Sequence, residues 1–120
     1  MLQDTQNRMG VVNAKAGYVH ADITVHGRSD HAGATPMDFR QDAGLVAAEC
    51  MLELERLAKE AGKGTVGTVA EIELRPNLIN AVPGRARFSL DVRGVDEEGF
   101  RGVARDIAAF AKEAAERRVA

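Results

Sequence analysis

Residues 18–26 read YVHADITVH. Apolar side chains alternate with polar ones along it, so that Val19, Ala21, Ile23 and Val25 share one face. A period of two predicts a strand that is buried on one face and polar on the other. A sheet built from such strands needs a second layer over its apolar face.

Two helices are predicted downstream of this strand. For the first, Thr35 can serve as the N-cap, Pro36 suits the first helical position, and Gly62 can end the helix. Apolar residues recur between these limits at spacings of three and four, which is typical of a helix with one buried face. The second helix is expected after Asp96 as N-cap, and its apolar stripe begins at Phe100.

Two more strands are predicted between the helices, at 65–74 and 86–93, joined by the long connection 75–84. The order strand, helix, strand, strand, helix gives five of the six elements of the ferredoxin-like arrangement. We therefore predict an α+β two-layer sandwich with both helices on one face of a mostly antiparallel sheet. The helical crossover makes the first two strands run parallel to each other and the third antiparallel to both. The final strand is missing or supplied elsewhere, and residues Met9 to Ala16 can pair at the open edge.

Composition fits a single domain and excludes several classes of partner. The chain has 120 residues, 45% of them apolar and 28% charged, which is enough for one core. A net charge of -2 provides no broad basic surface for nucleic acid or for an anionic membrane. No apolar stretch has the length of a membrane span or a signal peptide, so we expect a cytoplasmic protein. The single cysteine, Cys50, lies in a helical apolar pattern and is expected to serve packing.

Familiar catalytic motifs are weak in this chain. His20 and His26 lie six residues apart on one strand, about 20 Å, and cannot share a metal ion. A cluster of His26, Asp30 and His31 is geometrically conceivable but lacks the usual spacing of a zinc motif. The glycines of 62–67 precede a strand, whereas phosphate-binding loops follow one. We therefore expect no metal site within this chain.

A stronger signal is the combination of GRSDHAGATPM at 27–37, NLINAVPG at 77–84 and DVR at 91–93. Together these segments resemble the dimerisation or lid domain of the zinc-dependent exopeptidase and amidohydrolase superfamily, which includes carboxypeptidase G and succinyl-diaminopimelate desuccinylase. The form HAGATPM, with Arg40 and Asp42 following, is most similar to the branch of N-carbamoyl-L-amino acid hydrolases, β-ureidopropionases and allantoate amidohydrolases. The resemblance extends from about Gly10 to the second helix. It implies that residues 1–120 are one lid domain excised from a two-domain hydrolase, with 1–16 as an extension beside the hinge and 17–118 as the core.

The resemblance also implies a mechanism. The parent enzyme would have a separate catalytic domain holding two divalent metal ions, zinc, manganese or similar, and a metal-bound water that attacks a carbamoyl, ureido or amide carbon. By resemblance, His31 would stabilise the developing oxyanion in the partner subunit's site, and Asn80 and Arg93 would hold a substrate carboxylate. An imidazole N–H and a guanidinium suit these tasks. This chain alone would be inactive.

The predicted topology constrains how these three residues can act together. His31 and Asn80 each follow one of two parallel strands and so lie at one end of the sheet, whereas Arg93 ends the antiparallel strand, about 25 Å away. A two-fold dimer with its sheets side by side would bring His31 and Asn80 of one chain toward Arg93 of the other. We therefore predict a homodimer with shared sites for a small substrate that carries a carboxylate.

Three alternatives remain open at this point. The same lid can belong to a metallo-exopeptidase or a deacylase. A free-standing ferredoxin-like regulatory module would bind a small ligand without any catalytic domain. A purely structural dimerisation domain would use His31 only to shape its loop.

Overall fold

The computed structural model of the chain describes residues 2–3, 7–15 and 17–119. Two helices pack on one face of a sheet, as predicted. The elements in chain order are β1 (Leu2–Gln3), β2 (Asn7–Lys15), β3 (Tyr18–His26), a 3₁₀ helix (Met37–Phe39), α1 (Ala43–Ala61), β4 (Val66–Thr68), β5 (Ile72–Arg75), β6 (Arg85–Arg93) and α2 (Glu97–Arg118).

The described strands pair antiparallel, and β6 lies between β3 on one side and the short strands β4 and β5 on the other. β3 pairs with one edge of β6, from Tyr18 opposite Arg93 to His26 opposite Arg85. The short strands β4 and β5 follow one another along the other edge of β6. β3 and the β4–β5 edge therefore run in the same direction on either side of β6, which confirms the predicted ferredoxin-like topology.

The position of the missing final strand is occupied by a strand from the N-terminal side of β3. β2 pairs antiparallel with the free edge of β3, from Asn7 opposite Val25 to Lys15 opposite Tyr18. The expectation that this segment pairs at the open edge is confirmed from Met9 to Lys15, and Ala16 lies outside the described residues. Edge pairing of this kind satisfies backbone groups that β3 would otherwise expose.

The core lies between the sheet and the helices and is aliphatic apart from Phe88 and Phe100. The alternating residues of β3 and β6 point toward the helices and are almost completely buried, as their period of two predicts. Cys50 is buried in α1 among them, and burial raises the pKa of its thiol to about 12. This confirms its packing role, because a neutral, inaccessible thiol is a poor nucleophile.

The first helix begins later than the sequence pattern predicted. Thr35 does not cap it, because its hydroxyl donates instead to the carbonyl of His31 at 2.8 Å. After Pro36 the chain makes only the 3₁₀ turn, and α1 starts behind Asp42, whose carboxylate accepts from the backbone N–H groups of Gly44 and Leu45. The prediction of a helix from Pro36 was wrong because the sequence offers two capping residues, Thr35 and Asp42. The Thr35 hydroxyl is used in a loop hydrogen bond, so Asp42 caps the helix. Gly62, with φ +62°, ends the helix as predicted.

The second predicted strand is broken in two. Residues 69–71 leave the regular ladder, although Glu71 still exchanges hydrogen bonds with Ser89. In β4 the inward residue is Gly67, and a Cβ there would lie 2.9 Å from Leu54 of α1. A side chain at this position would therefore require the buried Leu54 side chain to move. The single strand predicted over 65–74 missed this break because either face of an edge strand can carry apolar residues. Ile72, for example, is apolar but 48% exposed.

Candidate functional site

His31 lies in the loop between β3 and the 3₁₀ helix, and this loop is fixed by its own hydrogen bonds. The carbonyl of His31 accepts from the backbone N–H groups of Ala34 and Thr35 and from the Thr35 hydroxyl. The Arg40 guanidinium spans the turn, donating to the carbonyls of Ala32 at 2.6 Å and Thr35 at 3.0 Å. Backbone ordering of this kind places the exposed imidazole without help from the core.

The proton on His31 is also positioned. The backbone N–H of Gly33 donates to Nδ1 of His31 at 3.0 Å. Nδ1 is therefore an acceptor, and the neutral ring carries its proton on Nε2. The loop thus presents an N–H donor on the side of the ring that faces away from the backbone.

Asn80 is held beside this loop by the chain before β6. Its carbonyl accepts from the N–H of Ala32 at 2.8 Å, and Val82 N–H donates to Asp30 at 2.8 Å on the other side of His31. The exposed Asn80 side chain makes no hydrogen bond to the part of the chain that the structure describes. The structure therefore brings His31 and Asn80 together, as the parallel direction of β3 and β5 predicts.

Two glycines allow the connections to approach so closely. A Cβ on Gly27 would lie 2.1 Å from the carbonyl oxygen of Gln41, and a Cβ on Gly84 would lie 2.7 Å from the backbone nitrogen of Ser29. Both distances are shorter than any real carbon contact. The two loops can cross at the end of the sheet only because these positions lack side chains.

Arg93 lies at the opposite end of the sheet, in a polar cluster on the face that the helices leave open. Its Nε and Nη2 donate to the two carboxylate oxygens of Asp91 at 2.8 and 2.6 Å, and its guanidinium carbon lies 5.5 Å from the centre of the Tyr18 ring. His20 contacts Asp91 at 3.3 Å and Arg93 at 3.4 Å through Nε2. The hydrogen bond from Arg93 holds the pKa of Asp91 below its usual value, so this carboxylate is ionised at neutral pH.

The three predicted site residues do not converge within one chain. Arg93 pairs with the first residue of β3, Tyr18, whereas His31 follows its last residue, His26. Eight residue steps along a strand correspond to about 25 Å. The predicted separation of Arg93 from the pair His31 and Asn80 is therefore confirmed.

The residues described here provide no metal site. No group of three or more histidine, cysteine, aspartate and glutamate side chains within residues 17–119 could hold an ion, and this includes the conceivable set His26, Asp30 and His31. The described residues therefore supply no set of ligands for the divalent ions that the resemblance implies. Within the same residues, neither helix is long and apolar enough to cross a membrane.

Sequence reasoning gave no role to two residues that shape these sites. Arg40 follows the loop motif in the sequence, but its hydrogen bonds across the turn depend on the late start of α1. Asp91 shares a strand face with Arg93 at a spacing of two, and this spacing was the available signal. Other charged residues on the same face have the same spacing, so the pattern alone did not single it out.

The chain matches the family model described as the peptidase dimerisation domain over residues 13–119. It is 43% identical over 101 residues to an N-carbamoyl-L-amino-acid amidohydrolase of Paenarthrobacter aurescens, covering 84% of this chain and 24% of that protein. It is 36% identical over 101 residues to the allantoate amidohydrolase of Escherichia coli, with 84% and 25% covered. It also superposes with a TM-score of 0.83 on a crystal structure of AtUAH in complex with glyoxylate, at 38% identity over 92% of this chain and 26% of that one.

The chain spans about a quarter of the length of these relatives. The match to the family model covers both loops of the site and both helices, and the structural likeness extends over the same layers. The chain belongs to the peptidase dimerisation domain family.

Proposed function

We propose that this chain is the dimerisation and substrate-gating lid of a cytoplasmic, metal-dependent hydrolase. The enzyme would cleave non-peptide C–N bonds in N-carbamoyl-L-amino acids or in related ureido acids such as allantoate and ureidopropionate. The names of the relatives support this substrate class. The metal ions would be held by a catalytic domain outside this chain, so the chain alone would not turn over substrate.

The observation that carries the proposal is the fixed donor at His31. Hydrolysis of a carbamoyl or ureido group places negative charge on the carbonyl oxygen in the transition state, and an oriented N–H lowers the energy of that charge. The bond from Gly33 to Nδ1 keeps the proton on Nε2, so the ring does not have to change tautomer when the substrate arrives.

The proposed carboxylate anchors are Asn80 and Arg93. An amide and a guanidinium both donate to carboxylate oxygens, and the guanidinium bond is charge-assisted. Because Arg93 lies about 25 Å from His31, we propose that each site in a homodimer takes His31 and Asn80 from one lid and Arg93 from the other.

The first experiment is to sequence the gene on both sides of this segment and to express the complete reading frame. Turnover of N-carbamoyl amino acids or allantoate by that protein would support the proposal. A reading frame that ends close to this segment on both sides would refute it and favour a free-standing ligand-binding module.

Variants at His31 then test the donor. We expect His31→Ala to lower kcat by roughly 10²- to 10³-fold, the usual loss for one oxyanion donor. His31→Gln should retain more activity than His31→Asn, because the glutamine amide N–H lies nearer the position of Nε2. His26→Gln, an exposed histidine at the end of β3, is the matched control. Unchanged turnover of His31→Ala, with the dimer intact, would refute the donor role and favour a purely structural dimerisation domain.

A mixing experiment tests the shared site. A His31→Ala chain and an Arg93→Ala chain each form defective homodimers, but their heterodimer would contain one site with both residues intact. Random mixing should therefore restore about a quarter of the wild-type activity, since half of the dimers are heterodimers with one working site of two. If each site were built within one chain, mixing would restore nothing.

A second candidate is the lid of a metallo-exopeptidase or deacylase, which the description of the matching family favours. The same donor and anchors would serve an amide carbonyl. Comparison of kcat/KM for an N-carbamoyl amino acid, its N-acyl counterpart and a dipeptide with the complete enzyme separates the two candidates.

A further inference from the structure

On the open face of the sheet, the carboxylate of Asp91 contacts the Arg93 guanidinium at two points. Asp91 and Arg93 lie two residues apart on β6, so their side chains leave the same face of the strand. Asp91 takes both donors on one edge of the guanidinium, Nε at 2.8 Å and Nη2 at 2.6 Å. This two-point contact fixes the plane of the guanidinium as well as its position.

We propose that Asp91 is a positioning residue for Arg93, which it holds with the opposite guanidinium edge directed to a substrate carboxylate. This inference rests on the proposed function, in which Arg93 anchors that carboxylate. It adds a residue that neither the loop motifs nor the comparisons assign to the site.

The donors that remain on Arg93 fit this role. A guanidinium has five N–H groups, and Asp91 uses those of one edge. The Nη1 hydrogens have no hydrogen-bond partner among residues 17–119, and the Arg93 side chain is 51% exposed. Nη2 also lies 3.4 Å from Nε2 of His20, which either accepts from Nη2 or donates to Asp91 but cannot do both. When His20 donates to Asp91, the outer edge formed by Nη1 and Nη2 can make a second, parallel pair of hydrogen bonds to an incoming carboxylate.

The neighbours of the pair restrict its movement. The Tyr18 ring lies beside the guanidinium at 5.5 Å, and Tyr18 is the residue paired with Arg93 across the strands. His20 lies across from Asp91 and contacts both charged groups through Nε2, at 3.3 and 3.4 Å. Arg93 ends its strand and is half exposed, so without these contacts the long side chain would sample several rotamers before each binding event.

A neighbouring pair on the same face provides a matched control. Asp22 on β3 contacts Arg87 on β6 at 2.9 Å, and the side chains of Asp22 and Asp91 are exposed to a similar degree, 37% and 34%. The two carboxylates therefore have similar surroundings, but only Asp91 contacts Arg93.

The test uses the complete enzyme with an N-carbamoyl amino acid and with the analogue in which the carboxylate is a carboxamide. We expect Asp91→Asn to raise KM for the carboxylate substrate about tenfold, the effect of misaligning one charge-assisted hydrogen bond, with kcat within about twofold. KM for the carboxamide should change little, because no carboxylate is then anchored. His20→Gln should act in the same direction but less strongly, and Asp22→Asn should leave both constants unchanged.

The outcomes separate this inference from the proposed function. If Arg93→Ala leaves KM unchanged, Arg93 does not anchor the substrate and both proposals fail. If Arg93→Ala raises KM but Asp91→Asn leaves it unchanged or lowers it, only the positioning role is overturned, and a lowered KM would show that Asp91 competes with the substrate. Equal effects of Asp91→Asn and Asp22→Asn, or equal effects on the carboxylate and carboxamide substrates, would also overturn it.

Discussion

Replacing Glu49 by glutamine should weaken the contact between the two helices in a way that depends on pH. Glu49 on α1 accepts from Arg117 at 2.8 and 3.1 Å and also from Nε of Arg118, both near the end of α2. The Arg117 hydrogen bonds, with Arg118 acting in the same direction, lower the pKa of Glu49 from 4.5 to about 2. The carboxylate is therefore stabilised in the folded chain relative to the unfolded one.

The magnitude follows from that difference in pKa. A change from 4.5 to about 2 corresponds to at most about 3.4 kcal/mol of folding free energy. Water reaches the pair, since the Glu49 side chain is 24% and the Arg117 side chain 46% exposed, and screening reduces the expected contribution to about 1–2 kcal/mol. Because the folded pKa is the lower one, this contribution is complete above about pH 5 and is lost as the pH falls toward 2.

The assay is urea unfolding of the wild-type chain and of Glu49→Gln between pH 2.5 and pH 7. We expect the variant to be less stable by about 1–2 kcal/mol at pH 7, with the gap narrowing steadily below pH 4.5. Glu55→Gln is the control on the same helix, because Glu55 is 65% exposed and lies 3.8 Å from Lys59, a pair worth little. A gap of the same size at pH 2.5 and pH 7, or no gap at pH 7, would refute the reasoning.

Three further predictions concern stability and can be checked by urea midpoints. Thr65 is buried, at 8% exposure, and its hydroxyl has no partner among the described residues, so Thr65→Val should stabilise the chain by about 1 kcal/mol, whereas the exposed Thr68→Val should not. Asp42→Ala should cost about 1 kcal/mol because it removes a helix cap, and Asp96→Ala should cost less because that side chain makes no cap bond; equal losses would contradict this. Gly27→Ala should cost about 1–3 kcal/mol, since the new Cβ would clash with the carbonyl of Gln41, and an unchanged midpoint would show that the crossing can relax.

The parts of the fold that the sequence predicts are those in which one face is fully buried. β3 and β6 alternate without exception, so both their faces and their pairing follow from the pattern. The start of α1 was missed because Thr35 and Asp42 are both good caps, and the choice depends on which carbonyls the loop brings to Thr35. The break at 69–71 was missed because an edge strand is only partly buried, so its pattern is weak.

The candidate site likewise has features that the sequence predicts and features that it does not. Topology alone places His31 and Asn80 at one end of the sheet and Arg93 at the other, since strand direction decides which ends meet. The tautomer of His31 and the fork between Asp91 and Arg93 were not predictable, because they depend on side-chain rotamers and on one backbone N–H in a loop. Such details depend on differences of a few tenths of an ångström in contact distances, which a residue pattern does not encode.

The distance between the two halves of the site is a property of the backbone, and this limits how the lid can act. Nine consecutive residue pairs hold β3 against β6, and they separate the end that carries Arg93 from the end that carries His31. No rotamer of either side chain spans about 25 Å, and sliding one strand along the other would turn buried residues toward solvent. If both residues act on one small substrate, motion within a lid cannot bring them together, and a second copy related by a two-fold axis has to supply one of them. Loss of the dimer should then abolish turnover even in a complete enzyme whose folded lids are intact.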